Sequence, residues 1–254
     1  MPDRKTRAAE KALEAVAQIA RELAAAPDLD ETLQRIVDLG SDYIDGCEGA
    51  SISFIRGRAV STPVWSNRTA LAADQAQYRH NQGPCLQALS VHETVVIDDV
   101  AAEQRWPKWR EAVLELDLRS SISFRLFLGP GGEETFGSLN MFSSHAHAFD
   151  AHAQVLGQVF ASHAAVALKA AITEAGLEQA VRSRDVIGLA KGILMERHDI
   201  DAGEAYQRLR RTSSDRKIAL RVLAEQVGES GALPDARPPA DVPAGSSAER
   251  TRVG

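Results

Sequence analysis

Between Phe149 and Val186 the chain contains no proline, and its only glycines are Gly157 and Gly176. A run that long without punctuation cannot be cut into short strands and turns, so it predicts one long helix. Within and just past it, Val166, Ala170, Thr173, Leu177, Val181, Arg184 and Gly188 step by alternating threes and fours, which reads as a weak coiled-coil seam. Such a helix behaves as a rigid connector between whatever precedes it and whatever follows. The two sides have different textures.

On the amino-terminal side, residues 4–26 are alanine-rich and charged, with Leu13, Val16, Ala20 and Leu23 at helical spacing. That narrow stripe suits a helix paired with another helix. Pro27 ends it, and Asp28 with Glu31 three residues on marks the start of a second helix through Ile36, Leu39 and Ile44. From Gly49 the pattern turns to strands: ASISFIR and AVSTPVW around a turn at Gly57, then TVVIDDV (94–100), SSISFRLFL (120–128) and TFGSLNMFSS (135–144). Helices are expected over 69–80 and 107–116, with a turn at Gly83-Pro84. Strands and helices interleaved in this way indicate an α+β unit with an antiparallel sheet.

On the carboxy-terminal side the stretch IGLAKGILMER (187–197) poses a question. It has the apolar spacing of a helix, yet it holds Gly188 and Gly192 one turn apart, each costing about 1 kcal/mol relative to alanine. Either tight helix packing or close approach of a ligand backbone would explain the pair, and Lys191 beside them is not needed for packing. Asp201 and Glu204 resemble a capping box, after which Ala202, Ala205, Tyr206 and Leu209 form an apolar stripe. Ser213-Ser214 is read as the cap of a third helix carrying Leu220, Leu223, Ala224 and Val227. Between Arg182 and Arg221 lie ten cations and six carboxylates, a local charge of +4 in a chain of −6, which leaves −10 for the rest. An acidic protein that gathers its cations on one small helical module has a binding face for an anion, most simply a nucleic acid.

Two cysteines, Cys47 and Cys85, are too few for a disulfide framework and fit a reducing compartment. The polar amino terminus lacks a signal core, and no run was expected to approach the roughly 18 apolar residues that span a bilayer, so a soluble, cytoplasmic protein without a membrane partner is expected. Cys85 opens a short helix, where a thiol pKa can fall, but a small buried hydrophobe is the simpler reading. His145, His147, His152 and His163 are read as ordinary polar residues, so no metal site is expected. Trp106 and Trp109 are expected in the core. With no nucleophile elbow, phosphate loop or paired carboxylates in a recognisable setting, no catalytic residue is expected and the chain is not read as an enzyme.

The segments NQGPCLQAL (81–89), VVIDDVAAEQRWPKW (95–109), FGSLNMFSS (136–144) and AFDAHAQVLGQVFASHAAVAL (148–168) resemble the GAF domains of actinobacterial regulators. The resemblance implies a six-stranded antiparallel sheet backed by helices, with a small-ligand pocket on one face. It departs at Asn81-Gln82, where the family has Gly-Glu, and at Arg125, where it has proline. Cys85 and Arg125 are the candidate ligand-binding residues, and the ligand or cofactor stays unknown. Ala190-Lys191-Gly192, Glu204-Ala205-Tyr206, Leu209-Arg210 and Ser213 are similar to the motifs of ANTAR domains, three-helix RNA-binding output modules. Lys217, Ala219 and Val222 depart from the pattern.

The resulting expectation is a GAF domain joined by a long connector helix to an all-α, three-helix ANTAR domain. Its parts are an N-terminal helix (1–27), the GAF sensor (28–170), a coiled-coil connector (171–184), the ANTAR domain (185–228) and a disordered tail (229–254). The resemblance implies transcription antitermination: a homodimer holds tandem stem-loops in nascent mRNA through Lys191, Gly192, Arg210, Arg211, Ser213, Lys217 and Arg221, under control of a small molecule or protein partner at the GAF domain. Two alternatives stay open. Three short helices with a basic third also suit duplex DNA, and the GAF domain could instead be a small-molecule or redox sensor acting through protein contacts.

Overall fold

The computed structural model describes residues 4–57, 59–91, 94–129 and 134–234. Helix α1 (Arg4–Ala24) and helix α2 (Leu29–Tyr43) are separated at Pro27. The Asp28 carboxylate accepts the Glu31 amide at 2.8 Å, satisfying one of the orphan donors of the α2 N-terminus. Among the described side chains of α1, Ile19 and Leu23 are buried and join Leu33, Ile36 and Val37 in one core, and Arg35 donates to the Glu22 carbonyl at 2.8 Å. The amino-terminal helix is thus held by its own unit. The Leu13 side chain lies outside the described residues.

Five strands among the described residues form an antiparallel sheet: β1 (Gly49–Arg56), β2 (Ala59–Trp65), β3 (Val95–Ile97), β4 (Ser120–Leu128) and β5 (Glu134–Ser143). Their order is β2-β1-β5-β4-β3, one strand fewer than the six expected. The stretch read as a strand over 94–100 pairs over three residues only. Asp99 turns it away, accepting the Ala101 amide at 3.0 Å and held by Arg119 at 3.0 Å, and a 3-10 turn (Val100–Ala102) follows.

Period-two alternation gives this sheet two different faces. One carries Ala50, Ile52 and Phe54 of β1, Ile122, Phe124 and Leu126 of β4, and Leu139 and Met141 of β5, all buried. A later helix, α6 (Ala151–His198), covers it with Phe160, Ala161, Ala164, Ala165 and Leu168. Burying each large apolar side chain contributes about 1.5–3 kcal/mol. At Gly157 the helix lies so close that a Cβ would sit 2.3 Å from Phe124 Cζ. The other face carries Ser51, Ser53, Ser121, Ser123, Arg125, Ser138 and Asn140, also buried. It is covered by α3 (Arg68–His80) and α4 (Pro84–Val91), with α5 (Pro107–Leu114) behind them. Trp109 on α5 is buried, as expected, whereas Trp106 at its N-cap is half-buried, edge-on to Trp109 at 6.0 Å and capped by the Arg105 guanidinium at 4.3 Å.

Helix α6 runs unbroken from Ala151 to His198, 48 residues. The chain divides into two compact units, up to Ala175 and from Gly176. Contrary to the expectation that no stretch comes near the length of a span, α6 is long and apolar enough to cross a membrane by composition, with a mean hydropathy of 1.5 over its best 18-residue window; 44% of that window is buried. The alanines and aliphatics packed on the sheet account for the buried share of it. In the second unit, the end of α6 with α7 (Ala202–Arg216) and α8 (Leu220–Ser230) encloses a core of Ala190, Leu194, Ala205, Leu209, Leu223, Ala224 and Val227.

Two sequence readings are corrected in this unit. Ser213 and Ser214 do not cap the third helix: they belong to the last turn of α7, where the Ser213 hydroxyl donates to the Ile218 carbonyl at 2.7 Å, and Lys217 in the left-handed region (φ 54°) ends the helix. Helix α8 instead begins after Ala219, without a side-chain cap. Of the stripe assigned to α7, Ala205 and Leu209 are buried, while Ala202 and Tyr206 are exposed. Of the tail expected over 229–254, α8 reaches Ser230, and residues 235–254 lie outside the described residues.

Candidate nucleic-acid interface and the polar face of the sheet

The glycine pair of α6 has a physical answer. A Cβ built on Gly188 or Gly192 meets no atom within 4 Å, so neither glycine is required by packing within the chain. This is the reverse of Gly157. Gly188 lies in a groove of about 670 Å³ formed by Ala180, Ser183, Arg184, Asp185, Ile187 and Lys191 of α6 and Tyr206 of α7. Arg184, Gly188 and Lys191 share one side of the helix because their spacing is four and three residues. Gly192 is exposed just beyond the groove.

The predicted cations separate into two groups. Arg210 is four residues after Tyr206 and so continues its side of α7. Arg211 is on another flank, where it faces Asp215 at 3.9 Å, and Arg208 pairs with Glu204 at 2.7 Å. Arg221 is engaged with Glu225 on α8. Lys191, Arg210 and Lys217 take part in none of these ion pairs. The structure therefore brings Lys191, Gly188 and Tyr206 together, and it sets Arg211 and Arg221 against carboxylates. Ser213 has a structural partner in Ile218, as above.

Further up α6, large apolar residues are uncovered: Val155 is 66% exposed, Val166 58%, Leu177 64% and Val181 60%. Val155, Val166 and Leu177 are spaced by eleven, and Ala170 and Val181 likewise. An eleven-residue period of 3.67 residues per turn keeps a stripe on one side of a nearly straight helix.

In the first unit the polar sheet face is organised by Asp74 of α3, which is fully buried. One carboxylate oxygen accepts from the Ser51 and Thr62 hydroxyls at 2.8 Å each, and the other from Asn140 Nδ2 at 3.0 Å and Gln77 Nε2 at 3.2 Å. The Tyr78 hydroxyl joins Thr62 (2.8 Å) to Ser53 (2.6 Å), and Asn140 also donates to Ser53 at 2.8 Å. Four neutral groups among the described residues donate to this carboxylate. Burial pushes its pKa up to about 6, against the opposing pull of those hydrogen bonds. The Ser121 and Ser123 hydroxyls on the same face have no protein hydrogen-bond partner among the described residues.

A GAF domain model matches residues 26–169, more than half of the chain, and an ANTAR domain model matches residues 175–227. The chain is a GAF–ANTAR regulator. Among solved structures it is similar to the GAF domain from an Acinetobacter phosphoenolpyruvate-protein phosphotransferase, at 12% identity and a TM-score of 0.51, over 65% of this chain and 98% of that one. It is also similar to the free methionine-R-sulfoxide reductase from Neisseria meningitidis in complex with its substrate, at 19% identity and 0.51, over 64% and 91%. A third is the GAF domain from a phosphoenolpyruvate-protein phosphotransferase of Coxiella burnetii, at 16% and 0.51, over 65% and 96%. At these identities the likeness is one of fold. No curated protein matches the sequence.

Within the GAF domain, the two residues expected to bind a ligand are placed as follows. Cys85, at the start of α4, is completely buried, its amide donating to Gln77 Oε1 at 2.8 Å. Burial pushes its thiol well above the ordinary range, the opposite of activation by the helix terminus. Arg125 on β4 is buried beside Ser138, bonds Thr135 and lies 5.0 Å over the Phe127 ring. A cavity of about 180 Å³ on this domain is lined by other residues, among them Glu48, Asn67, Ala70, Leu118 and Phe142.

Sequence reasoning missed Asp74 and Tyr206. Asp74 could have been found from Ser-x-Ser in β1 and β4 and Ser-x-Asn in β5, which put hydroxyls and an amide on every second residue of three neighbouring strands. Tyr206 was hidden because the helical period assigned it to the apolar stripe of α7, although the Glu204-Ala205-Tyr206 motif already singled it out.

Proposed function

We propose that this GAF–ANTAR regulator binds stem-loops in nascent mRNA and acts by transcription antitermination, in the cytoplasm and without a membrane partner. The observation that carries the reading is the groove of the ANTAR domain. Its floor at Gly188 is free of side chains, Arg184 and Lys191 flank it, and Tyr206 stands exposed at its edge. An RNA hairpin loop offers phosphates and splayed bases to such a surface, whereas the deep major groove of A-form duplex is closed to side chains. The uncovered α6 stripe supports a homodimer, because a second copy of the same helix would cover these exposed apolar residues in a right-handed pairing of eleven-residue period. Two ANTAR domains on one dimer would hold two adjacent hairpins with the gain in effective concentration that tethering gives.

For the GAF domain we propose a small ligand on the polar face of the sheet, where Ser121, Ser123 and Arg125 lie near Cys85 and the Asp74 cluster. Its effect would be to shift the population of binding-competent dimers. Completely buried Cys85 speaks against the redox alternative.

The test titrates labelled tandem-hairpin RNA against the full chain at several salt concentrations, with unlabelled duplex DNA as competitor. Hairpin RNA should bind more tightly than the duplex, and Lys191→Ala should weaken it and reduce the slope of log affinity against log salt by about one. Preference for duplex DNA would replace the RNA reading with a DNA one.

A further inference from the structure

We infer that the groove between α6 and α7 of the ANTAR domain takes one unpaired nucleobase, stacked on the ring of Tyr206. The inference rests on the RNA reading and names the part of the ligand that enters the groove. Tyr206 is the only aromatic residue between Gly176 and Gly254. Its neighbours Ala205 and Leu209 are buried in the small core, yet Tyr206 itself is 41% exposed. Among the described residues its hydroxyl has no hydrogen-bond partner, so no polar contact holds the exposed part of the ring at the surface. An uncovered aromatic face attracts the π-face of any unstacked base.

The remaining walls choose a base over other anionic or aromatic ligands. Gly188 adds nothing above the helix backbone, which leaves a slot deep enough for a flat ring. The groove volume of about 670 Å³ is within the roughly 300–1,000 Å³ of small-ligand sites. Arg184 and Lys191, on either side of Gly188 and about 10 Å apart along the helix, are placed to hold the phosphates before and after the inserted nucleotide. Asp185, also in the groove, repels a phosphate from its interior and can accept a hydrogen bond from a base edge bearing an N–H donor. Duplex nucleic acid keeps its bases stacked, so only a loop, bulge or end can fill the slot.

The experiment uses the full chain and fluorescence anisotropy of a labelled tandem-hairpin RNA, with a matched set in which each loop position in turn is abasic. Tyr206→Leu should weaken binding about ten-fold or more with the salt slope unchanged, because stacking is lost and phosphate contacts are kept. Tyr206→Phe should stay within about two-fold of wild type. Against wild-type protein one abasic position should carry a similar ten-fold loss, and against Tyr206→Leu that same position should cost little more, the non-additivity of two partners in one contact. Thermal melts of each variant establish that the domain is folded, and the abasic scan on wild-type protein tests the inference independently of any substitution. If wild type binds the hairpins and Tyr206→Leu binds them equally, or no abasic position matters, the base slot is overturned and the RNA reading stands. If wild type binds no hairpin RNA, the RNA reading itself has failed, and the slot with it.

Discussion

The glycine pair of α6 makes a prediction with a definite sign. Both positions lie inside a continuous helix, where glycine is about 1 kcal/mol less favourable than alanine. A Cβ at either place touches nothing within 4 Å, so no clash offsets the gain and no new packing adds to it. Gly188→Ala and Gly192→Ala should therefore each stabilise the ANTAR domain by about 1 kcal/mol, and the pair by about 2 kcal/mol. For a unit this small that corresponds to roughly 4–8 °C per kcal/mol in its melting temperature. Gly157→Ala is the internal control: its Cβ would fall 2.3 Å from Phe124 Cζ, so it should destabilise the GAF domain by about 1–3 kcal/mol. Circular dichroism melts of the full chain measure all three. The same protein samples, titrated with hairpin RNA, should show the double alanine variant binding more weakly although it is more stable, with Gly188→Ala responsible for most of the loss. Two results would refute the reasoning. A destabilised double variant would mean that the glycines face a second copy of the chain, and a stabilised variant with unchanged RNA affinity would mean that the open helix side has no ligand.

Other expectations follow from neighbouring features. Arg210→Ala should weaken hairpin RNA binding several-fold, and Arg211→Ala, opposite Asp215, should change it less than two-fold; the reverse order in a titration would misplace the interface. Leu177→Glu with Val181→Glu should convert a dimer into a monomer by analytical ultracentrifugation, with both domains still folded, because both residues are exposed in the single chain. Asp74→Asn should flatten the pH dependence of GAF stability. The native carboxyl is raised from 3.8 to about 6, so the native state holds a proton that the unfolded chain has already released, and stability present below pH 3.8 is lost as pH rises through about 6, by about 3 kcal/mol in all. Melts from pH 4 to 7 that slope equally in both proteins would overturn that account. Cys85 should resist alkylation in the native protein and react after unfolding.

How much of this was legible in the sequence varied with the range of the interactions. Helix starts at Asp28 and Asp201 were readable because a cap is a contact between residues three apart. The strands SSISFRLFL and TFGSLNMFSS were readable because alternation needs only the chain itself. The end of α7 was misread because serines announce a cap wherever they occur, and only the packing of Ile218 and the left-handed turn at Lys217 decide that Ser213 closes one helix rather than opening the next. Charge counting found the basic module and yet could not sort its arginines, since Glu204, Asp215 and Glu225 neutralise some of them at helical spacings. Alternating Ser-x-Ser and Ser-x-Asn marked a polar sheet face, but that Asp74 is its centre needed the register of β2, β1 and β5 and the placement of α3 at once.

The distribution of aromatic residues has a spectroscopic consequence. Trp65, Trp106 and Trp109 all belong to the GAF domain, and the ANTAR domain has Tyr206 alone. Excitation at the red edge of indole absorption thus lights one domain and leaves the other dark. Melting followed by tryptophan emission reports the sensor by itself, while far-ultraviolet ellipticity reports both, so any gap between the two curves measures how independently the halves unfold. A tryptophan placed at position 206 would give the dark half its own lamp, set at the mouth of the groove.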